Sequence, residues 1–389
     1  MPNRTRRGRV QALADYLISA GVLDPAEQDG RAWLEALHQV PRDLFVPRRA
    51  WADPQDNRPM HAIDRDVDPG TWWDAVYSNS AIVTQRGDGS ADVTDTNASP
   101  TSSLSSPHVA AEFLRLLELR PHHHVLEIGT GTGWTAAMLA WRLGADQVTT
   151  IEVDAVVAEA AAGNLKVAGF SPFTLVGDGA LGALDRAPYD RVHVTCGVRD
   201  IPYAWVEQTR PGGVIVMPYM PPSGHWGEQL RLDVLDDGTA VGRFHEGASF
   251  MMMRSQRRPA WPPYSEQRAM SAIRLDPRAP HQALPHGFGL FLAAQAPHVA
   301  VTTAGWEEQD DGWAWVMRLR DLEGDGWALA TAHPGETGTE VIQGGRSRLW
   351  DDFEETYTRW LRDGCPDREQ FTARVSADGQ SIRLGRFKE

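Results

Sequence analysis

The segment VLEIGTGTGWTAAMLA, residues 125–140, limits the fold of this chain more than any other. An apolar run ends in glycines at alternate positions, Gly129, Gly131 and Gly133, and a helix-forming run follows at once. That order predicts a buried strand, a tight turn and a helix whose N-terminus sits at the turn. Glycine lets the backbone approach a ligand with no Cβ in the way. The triplet alone does not choose a ligand, because more than one kind of nucleotide-like site uses it.

The residues around the turn extend the pattern. From 107 to 254 strands alternate with helices: HVLEIG, QVTTIEV, FTLVG, YDRVHVTC and VIVMPY read as strands, with helices at WTAAMLAWRLG, AVVAEAAAGNLKVAG and AWVEQTR between them. Runs of Val, Ile and Leu suit a mostly parallel sheet covered on both faces. Three acids fall at its expected strand ends. Glu127 precedes the first glycine by two residues, where a carboxylate favours a cationic ligand over a pyrophosphate. Glu152 ends the next strand, the usual place for an acid that accepts from ribose hydroxyls. Asp178 follows the third, where it can accept from an adenine amino group. Together they match the class I methyltransferases that bind S-adenosyl-L-methionine, so the fold expected is Rossmann-like α/β. The expected cofactor contacts are Glu127, Gly129, Thr130, Gly131, Gly133, Glu152, Val153, Gly177, Asp178 and Gly179.

A chain of 389 residues, 42% hydrophobic, is long enough for two folded regions. Residues 1–100 read as an N-terminal helical cap and substrate loop, with helices at RVQALADYLISAG and GRAWLEALHQV and a short strand at AIVTQ. RGDGSADVTDTNASPT has almost no apolar content and reads as a mobile loop. Residues 101–254 hold the core, including a hairpin turning at Asp236, Asp237 and Gly238. The Arg- and Pro-rich stretch from 254 to 268 marks a boundary to a C-terminal α+β accessory domain, 255–389. There GWAWVMRLRDLEGDGWALATAH and FTARVSADGQSIRLG read as hairpins. SRLWDDFEETYTRWLRDG reads as an amphipathic helix presenting Leu349, Trp350, Phe353, Tyr357, Trp360 and Leu361, stopped by Gly364.

The formal net charge of −14 argues against a nucleic-acid partner. No window is apolar enough to span a membrane, and no secretory signal is evident, so a cytoplasmic location is expected. Cys196 and Cys365 form neither a metal motif nor a disulfide framework. His122, His123 and His124 enter a strand on alternate faces and cannot converge on one ion, so no metal is expected.

Residues 33–219 resemble the protein-L-isoaspartate O-methyltransferases. VPRDLFVP is similar to that family's N-terminal signature, SLSSP to its Ile-Ser-x-Pro element, VLEIGTGTGW to its cofactor loop, GDGALG and APYDRVHVTC to its third- and fourth-strand motifs, and QTRPGGVIVMP to its closing segment. The resemblance implies a catalytic Ser105, whose hydroxyl lies beside the substrate carboxylate, and substrate contacts from Ser103, Leu104, Ser105 and Pro107. It implies methylation of a peptide carboxyl group, with S-adenosyl-L-homocysteine as the second product. A carboxylate with an ordinary pKa near ~4 is already ionised at pH 7, so no general base is needed. The chain departs from the repair enzymes in its lengthened segment before Ser105 and its long C-terminal region. Both resemble the branch that tailors ribosomally made peptides beside ATP-grasp ligases, or in lanthipeptide and lasso systems. That branch implies methylation of an ordinary Asp in a constrained precursor peptide already crosslinked by a partner ligase, followed by closure to a succinimide (aspartimide) that persists or opens to isoaspartate. The alternatives are a repair enzyme acting on damaged proteins and a silent scaffold that presents a peptide. The Trp-rich C-terminal region is a candidate for gripping the precursor, and equally its aromatics are candidates for its own core.

Overall fold

The computed structural model describes residues 5–224, 226–258, 275–309, 312–335 and 338–387, together with the backbone of 269–272. It opens with α1 (Arg6–Ser19) and α2 (Gln28–Gln39). Thr5 caps the first by accepting from the Gly8 N–H. Then come β1 (Arg49–Pro54), β2 (His61–Asp64), α3 (Pro69–Val76), β3 (Ser80–Arg86) and β4 (Pro100–Leu104). The four strands make an antiparallel sheet in the order β2-β1-β3-β4.

The stretch 86–101, read from sequence as a mobile loop, runs from the end of β3 through a turn into β4, whose first residues are Pro100 and Thr101. Leu104 pairs with Ile82 and Ser103 with Val83. The buried Arg86 guanidinium donates to the Val93 and Ala98 carbonyls, holding the polar turn from inside. Thr101 donates its hydroxyl to Gln85, which in turn donates to Asp154. Side-chain hydrogen bonds, rather than apolar burial, order the segment.

The central layer follows: α4 (Pro107–Leu116), β5 (Val125–Ile128), α5 (Trp134–Leu143), β6 (Val148–Glu152), α6 (Ala155–Ala168), β7 (Phe173–Val176), β8 (Tyr189–Val194), α7 (Tyr203–Glu207) and β9 (Thr209–Tyr219). The strands run β7-β6-β5-β8-β9, all parallel. β5 and β6 are buried at every residue. β7 closes the row and departs from that pattern, with Phe173 and Val176 exposed. The chain leaves β5 to form β6 and β7 on one side, then returns to place β8 on the other. The carboxyl end of β5 is therefore the switch point where open α/β sheets take their ligands.

Two compact units emerge, one from Met1–Cys196, Ala204–Met217 and Val234–Gly238, the other from Gly197–Tyr203, Pro218–Asp233 and Thr239–Glu389. β10 (Glu228–Val234) and β11 (Ala240–Gly247), which belong to the second unit except for Val234, are joined through the Asp236–Gly238 turn. Next come β12 (Ala269–Ala272), α8 (Arg278–Ala283), α9 (Phe288–Gln295), β13 (Val299–Gln309), β14 (Gly312–Asp321), β15 (Trp327–Ala332), β16 (Glu340–Gly344), α10 (Leu349–Arg362), β17 (Phe371–Ser376) and β18 (Gly379–Leu384). One antiparallel sheet runs β12-β16-β15-β14-β13, and β18-β17-β11-β10 lie in another. α10 buries Leu349, Trp350, Phe353, Thr356, Tyr357 and Trp360. Leu361, expected on that face, is exposed, and Thr356 takes its place. Phe288 meets Phe353 and Tyr357 edge-on, so these aromatics are core.

Candidate active site

All three glycines of the turn have left-handed φ, at +95° for Gly129, +54° for Gly131 and +91° for Gly133. A Cβ on Gly129 would meet Thr195 Oγ1 at 2.5 Å, and one on Gly133 would meet Leu165 at 3.1 Å. A Cβ on Gly131 would lie 3.3 Å from the Ser103 carbonyl oxygen, so β4 passes directly against the loop. The turn has room for backbone alone.

Beneath it a polar row crosses three strands. Glu127 is opposite Thr150 on β6 and His193 on β8. Thr150 donates its hydroxyl to Glu127 Oε2 at 2.8 Å, and His193 Nδ1 lies 3.3 Å from Oε1. Thr130 of the turn meets the Thr150 hydroxyl at 2.7 Å. The Glu127 side chain has no solvent exposure, so its carboxylate works from inside the sheet, bracing the loop above it. Sequence reasoning missed His193. It sits in an apolar strand, and its partner lies 66 residues away.

Glu152 is nearly buried at the end of β6. Its carboxylate accepts from the Gly131 N–H at 2.9 Å and the Asp154 N–H at 3.1 Å, tying the second acid to the loop. Val153, beside it, is 43% exposed. Gly177 donates its N–H to the Glu152 carbonyl, and the exposed Asp178 accepts from the Ala180 N–H. Gly179 packs on Ile128, where a Cβ would approach to 2.5 Å. Burial, with the charges of Glu152 and Asp178, pushes the Cys196 thiol up to about 12, so that thiol is a third group beside the two acids. Carboxylates at the ends of adjacent strands, beside a cradle without Cβ atoms, can accept hydrogen bonds from ribose hydroxyls, an adenine amino group or the ammonium of an amino-acid tail.

Ser105 stands half-buried between β4 and α4. Among the described residues its hydroxyl makes no hydrogen bond, so it is available to a ligand. Ser106 occupies the N-cap and Pro107 the first turn of α4, as their types predict, but the Ser106 side chain makes no capping bond. Leu104 is buried, and Ser103 is half-buried with its carbonyl on the glycine turn.

The PRDLF stretch is structural. Arg42, 1% exposed, lies over the Trp134 ring at 4.6 Å and donates to the Ser80 carbonyl at 2.9 Å. Burial lowers its guanidinium to about 9. The neighbouring Asp43 accepts from Tyr77 and Arg6. Trp134 opens α5 immediately after Gly133, so Arg42 fixes the helix end that completes the turn.

The parallel sheet, its switch point and this cradle define a class I S-adenosylmethionine-dependent methyltransferase. A family model described as protein-L-isoaspartate(D-aspartate) O-methyltransferase matches residues 58–257. The chain is 34% identical over 220 residues to the protein-L-isoaspartate O-methyltransferase of Methanopyrus kandleri, spanning 56% of this chain and 80% of that one. It is 38% identical over 152 residues to the Thermococcus onnurineus protein of the same name, spanning 38% and 68%. A solved structure called protein-L-isoaspartate O-methyltransferase aligns over 98% of this chain and 99% of that one, with a TM-score of 0.51 at 19% identity, a likeness of fold. The chain belongs to the protein-L-isoaspartate O-methyltransferase family and is an enzyme that uses S-adenosyl-L-methionine. Among the described residues no helix is long and apolar enough to cross a membrane.

Proposed function

We propose that this enzyme methylates the side-chain carboxylate of an Asp in a ribosomally made, constrained peptide. The observation that carries the reading is the ordered lip. Residues 87–99 form a long polar turn held by the Arg86 side chain, and β4 (Pro100–Leu104) then pairs with β3, lies on the glycine turn and leads into Ser105. A lip pinned from within suits one shaped substrate better than the varied backbones of damaged proteins.

S-adenosyl-L-methionine, when bound, supplies a methyl group on a cationic sulfur. Glu152, Asp178 and the three glycines would hold it, with Glu127, Thr150 and His193 bracing the turn from below. Ser105 would donate one hydrogen bond to the non-attacking oxygen of the substrate carboxylate and aim the other along the reaction axis. No side chain need remove a proton, so orientation in a dry site carries the rate. The ester formed is then open to attack by the backbone nitrogen of the following residue. That nitrogen bonds to the ester carbonyl carbon, methanol leaves with the amide proton, and a succinimide results.

A second reading, repair of isoaspartate in damaged proteins, is favoured by the relatives' names and by the full-length fold match. Methyl transfer to a ligase-crosslinked Asp peptide, measured against a linear isoaspartyl peptide, separates the two. The first reading expects faster ester formation on the crosslinked peptide, followed by loss of methanol. Turnover of the linear isoaspartyl peptide alone would overturn it. Ser105→Ala should cut kcat about 10- to 100-fold on the true acceptor, the loss of one hydrogen bond to a charged oxygen.

A further inference from the structure

Helix α6 reads AVVAEAAAGNLKVA, with Glu159 and Lys166 as its charged residues. Its inward side is accounted for within the first unit. Ala158, Ala161 and Leu165 are buried, a Cβ on Gly133 would come to 3.1 Å from Leu165, and Asn164 Nδ2 donates to the Thr132 carbonyl at 3.0 Å. That side carries the glycine turn. The outward side has no such role. Ala155, Val156, Ala160, Ala162, Gly163 and Val167 are exposed, the two valines at 73% each. A helix on the surface of a folded chain gives water a polar face, and one that is apolar all round is covered on every side.

Gly163 sharpens the contrast. It lies inside the helix, where glycine is costly because its backbone has the most freedom to lose. A Cβ at Gly163 would meet nothing within 4 Å, so among the described residues no neighbour requires its absence. A missing side chain in the middle of an open apolar face lets another helix approach closely.

The two charges indicate which helix. At about 100° per residue, Glu159 and Lys166 fall on the same flank of the exposed stripe. Seven residues separate them, about 10 Å along the axis, too far for them to pair with each other. Both are exposed, and among the described residues neither makes a hydrogen bond or an ion pair. They lie equally far on either side of the Ala162–Gly163 peptide. A second α6 crossing antiparallel at this point, related by a two-fold axis, sets each flank against the same flank of its partner and reverses the order along it. Glu159 then faces the partner's Lys166, and Lys166 faces the partner's Glu159. Glycine opposes glycine, and Val167 falls between the partner's Val156 and the partner's Ala160. The face complements itself.

We propose that the outward face of α6 docks a second copy of this chain, as a two-fold antiparallel helix pair centred on Gly163. Apolar contact supplies the affinity, and the two exposed ion pairs set direction and register. The pairing is independent of which peptide is methylated.

The test uses the full chain. Sedimentation equilibrium should show a reversible dimer with a dissociation constant on the order of 10 μM, as a small interface gives. Gly163→Leu suits a helix but fills the point of closest approach, and should weaken the dimer about tenfold or more. Glu159→Lys and Lys166→Glu should each weaken it about tenfold, and the two together should restore it to within about threefold. S-adenosyl-L-homocysteine affinity reports whether each variant is folded. On the unaltered protein, carbodiimide coupling of an equal mixture of light and heavy-isotope chains should yield an isotopically mixed Glu159–Lys166 crosslink. Lys388 is the only other lysine, so the assignment is direct. A protein monomeric at every concentration, a dimer indifferent to Gly163→Leu, or a double reversal that restores nothing would overturn the proposal. Sedimentation of a monomer with phosphatidylcholine vesicles would give the face to a membrane and overturn it equally.

Discussion

Replacing His193 by Ala tests whether the row beneath the glycine turn holds the cofactor site. Glu127 has no exposure and two partners, His193 at 3.3 Å and Thr150 at 2.8 Å. Removing the imidazole leaves one carboxylate oxygen facing an enclosed space that was filled by a ring tilted against Phe113. A lost hydrogen bond to a charged group costs about 1.5–3 kcal/mol, and stranding one member of a buried polar pair raises the total to about 3–5 kcal/mol. That is a large share of the 5–15 kcal/mol typical of a domain, so urea midpoints should fall steeply. The damage should also reach the ligand, because Thr130 hangs from Thr150, which hangs from Glu127. S-adenosyl-L-methionine affinity by calorimetry should drop about tenfold, equivalent to about 1.4 kcal/mol. His193→Gln, which restores a donor near Oε1, should recover part of both losses. A cycle with Glu127→Gln should give a coupling of about 1–3 kcal/mol. A His193→Ala protein within about 1 kcal/mol of the parent, or a coupling near zero, would refute the bracing role.

Three further outcomes follow from the geometry. Gly131→Ala should weaken S-adenosyl-L-methionine binding more than it lowers the melting temperature, since the left-handed φ costs about 1–2 kcal/mol and the new Cβ presses on the Ser103 carbonyl; calorimetry beside a thermal melt checks it. Arg42→Lys should destabilise the first unit by about 2 kcal/mol in urea, because an ammonium cannot reproduce the planar stack on Trp134. In the second unit, burial pushes Glu228 up to about 8, against the opposing pull of Arg368 and with help from Asp367 and Glu246. The folded state thus keeps a proton that the unfolded state has released, so stability should fall as pH rises from about 4.5 towards 8, and Glu228→Gln should flatten that slope.

What the sequence disclosed was the part built from local rules. The strand, glycine turn and helix at 125–143 announce themselves through residue order, and the hairpins at Gly238 and Gly379 through turn chemistry. The α10 stripe follows from its period, although Leu361 shows that a broad apolar face does not say where burial ends. What stayed hidden depends on partners distant in the chain. Thr101, Ser102 and Ser103 look like a linker until β3 supplies their ladder and Gln85 their hydrogen bond. Arg42 reads as an ordinary charge until Trp134, 92 positions later, closes over it. The Ser106 cap shows the converse, a local signal with correct backbone and an unused side chain.

The Gln380 side chain that holds Arg199 and Ile201 reaches across 181 and 179 positions of the chain. Residues 197–203 and 218–233 belong to the second unit, yet each is followed by a segment of the first. During synthesis these stretches emerge early and wait for almost half the protein to be made before their partners exist. Such a chain folds under high contact order, with apolar surface and strand edges exposed in the interval. The ribosome cannot finish one unit before beginning the other, so neither is a module that a gene fusion could add or remove cleanly. A new substrate preference in such a lineage has to arise by editing surfaces in place.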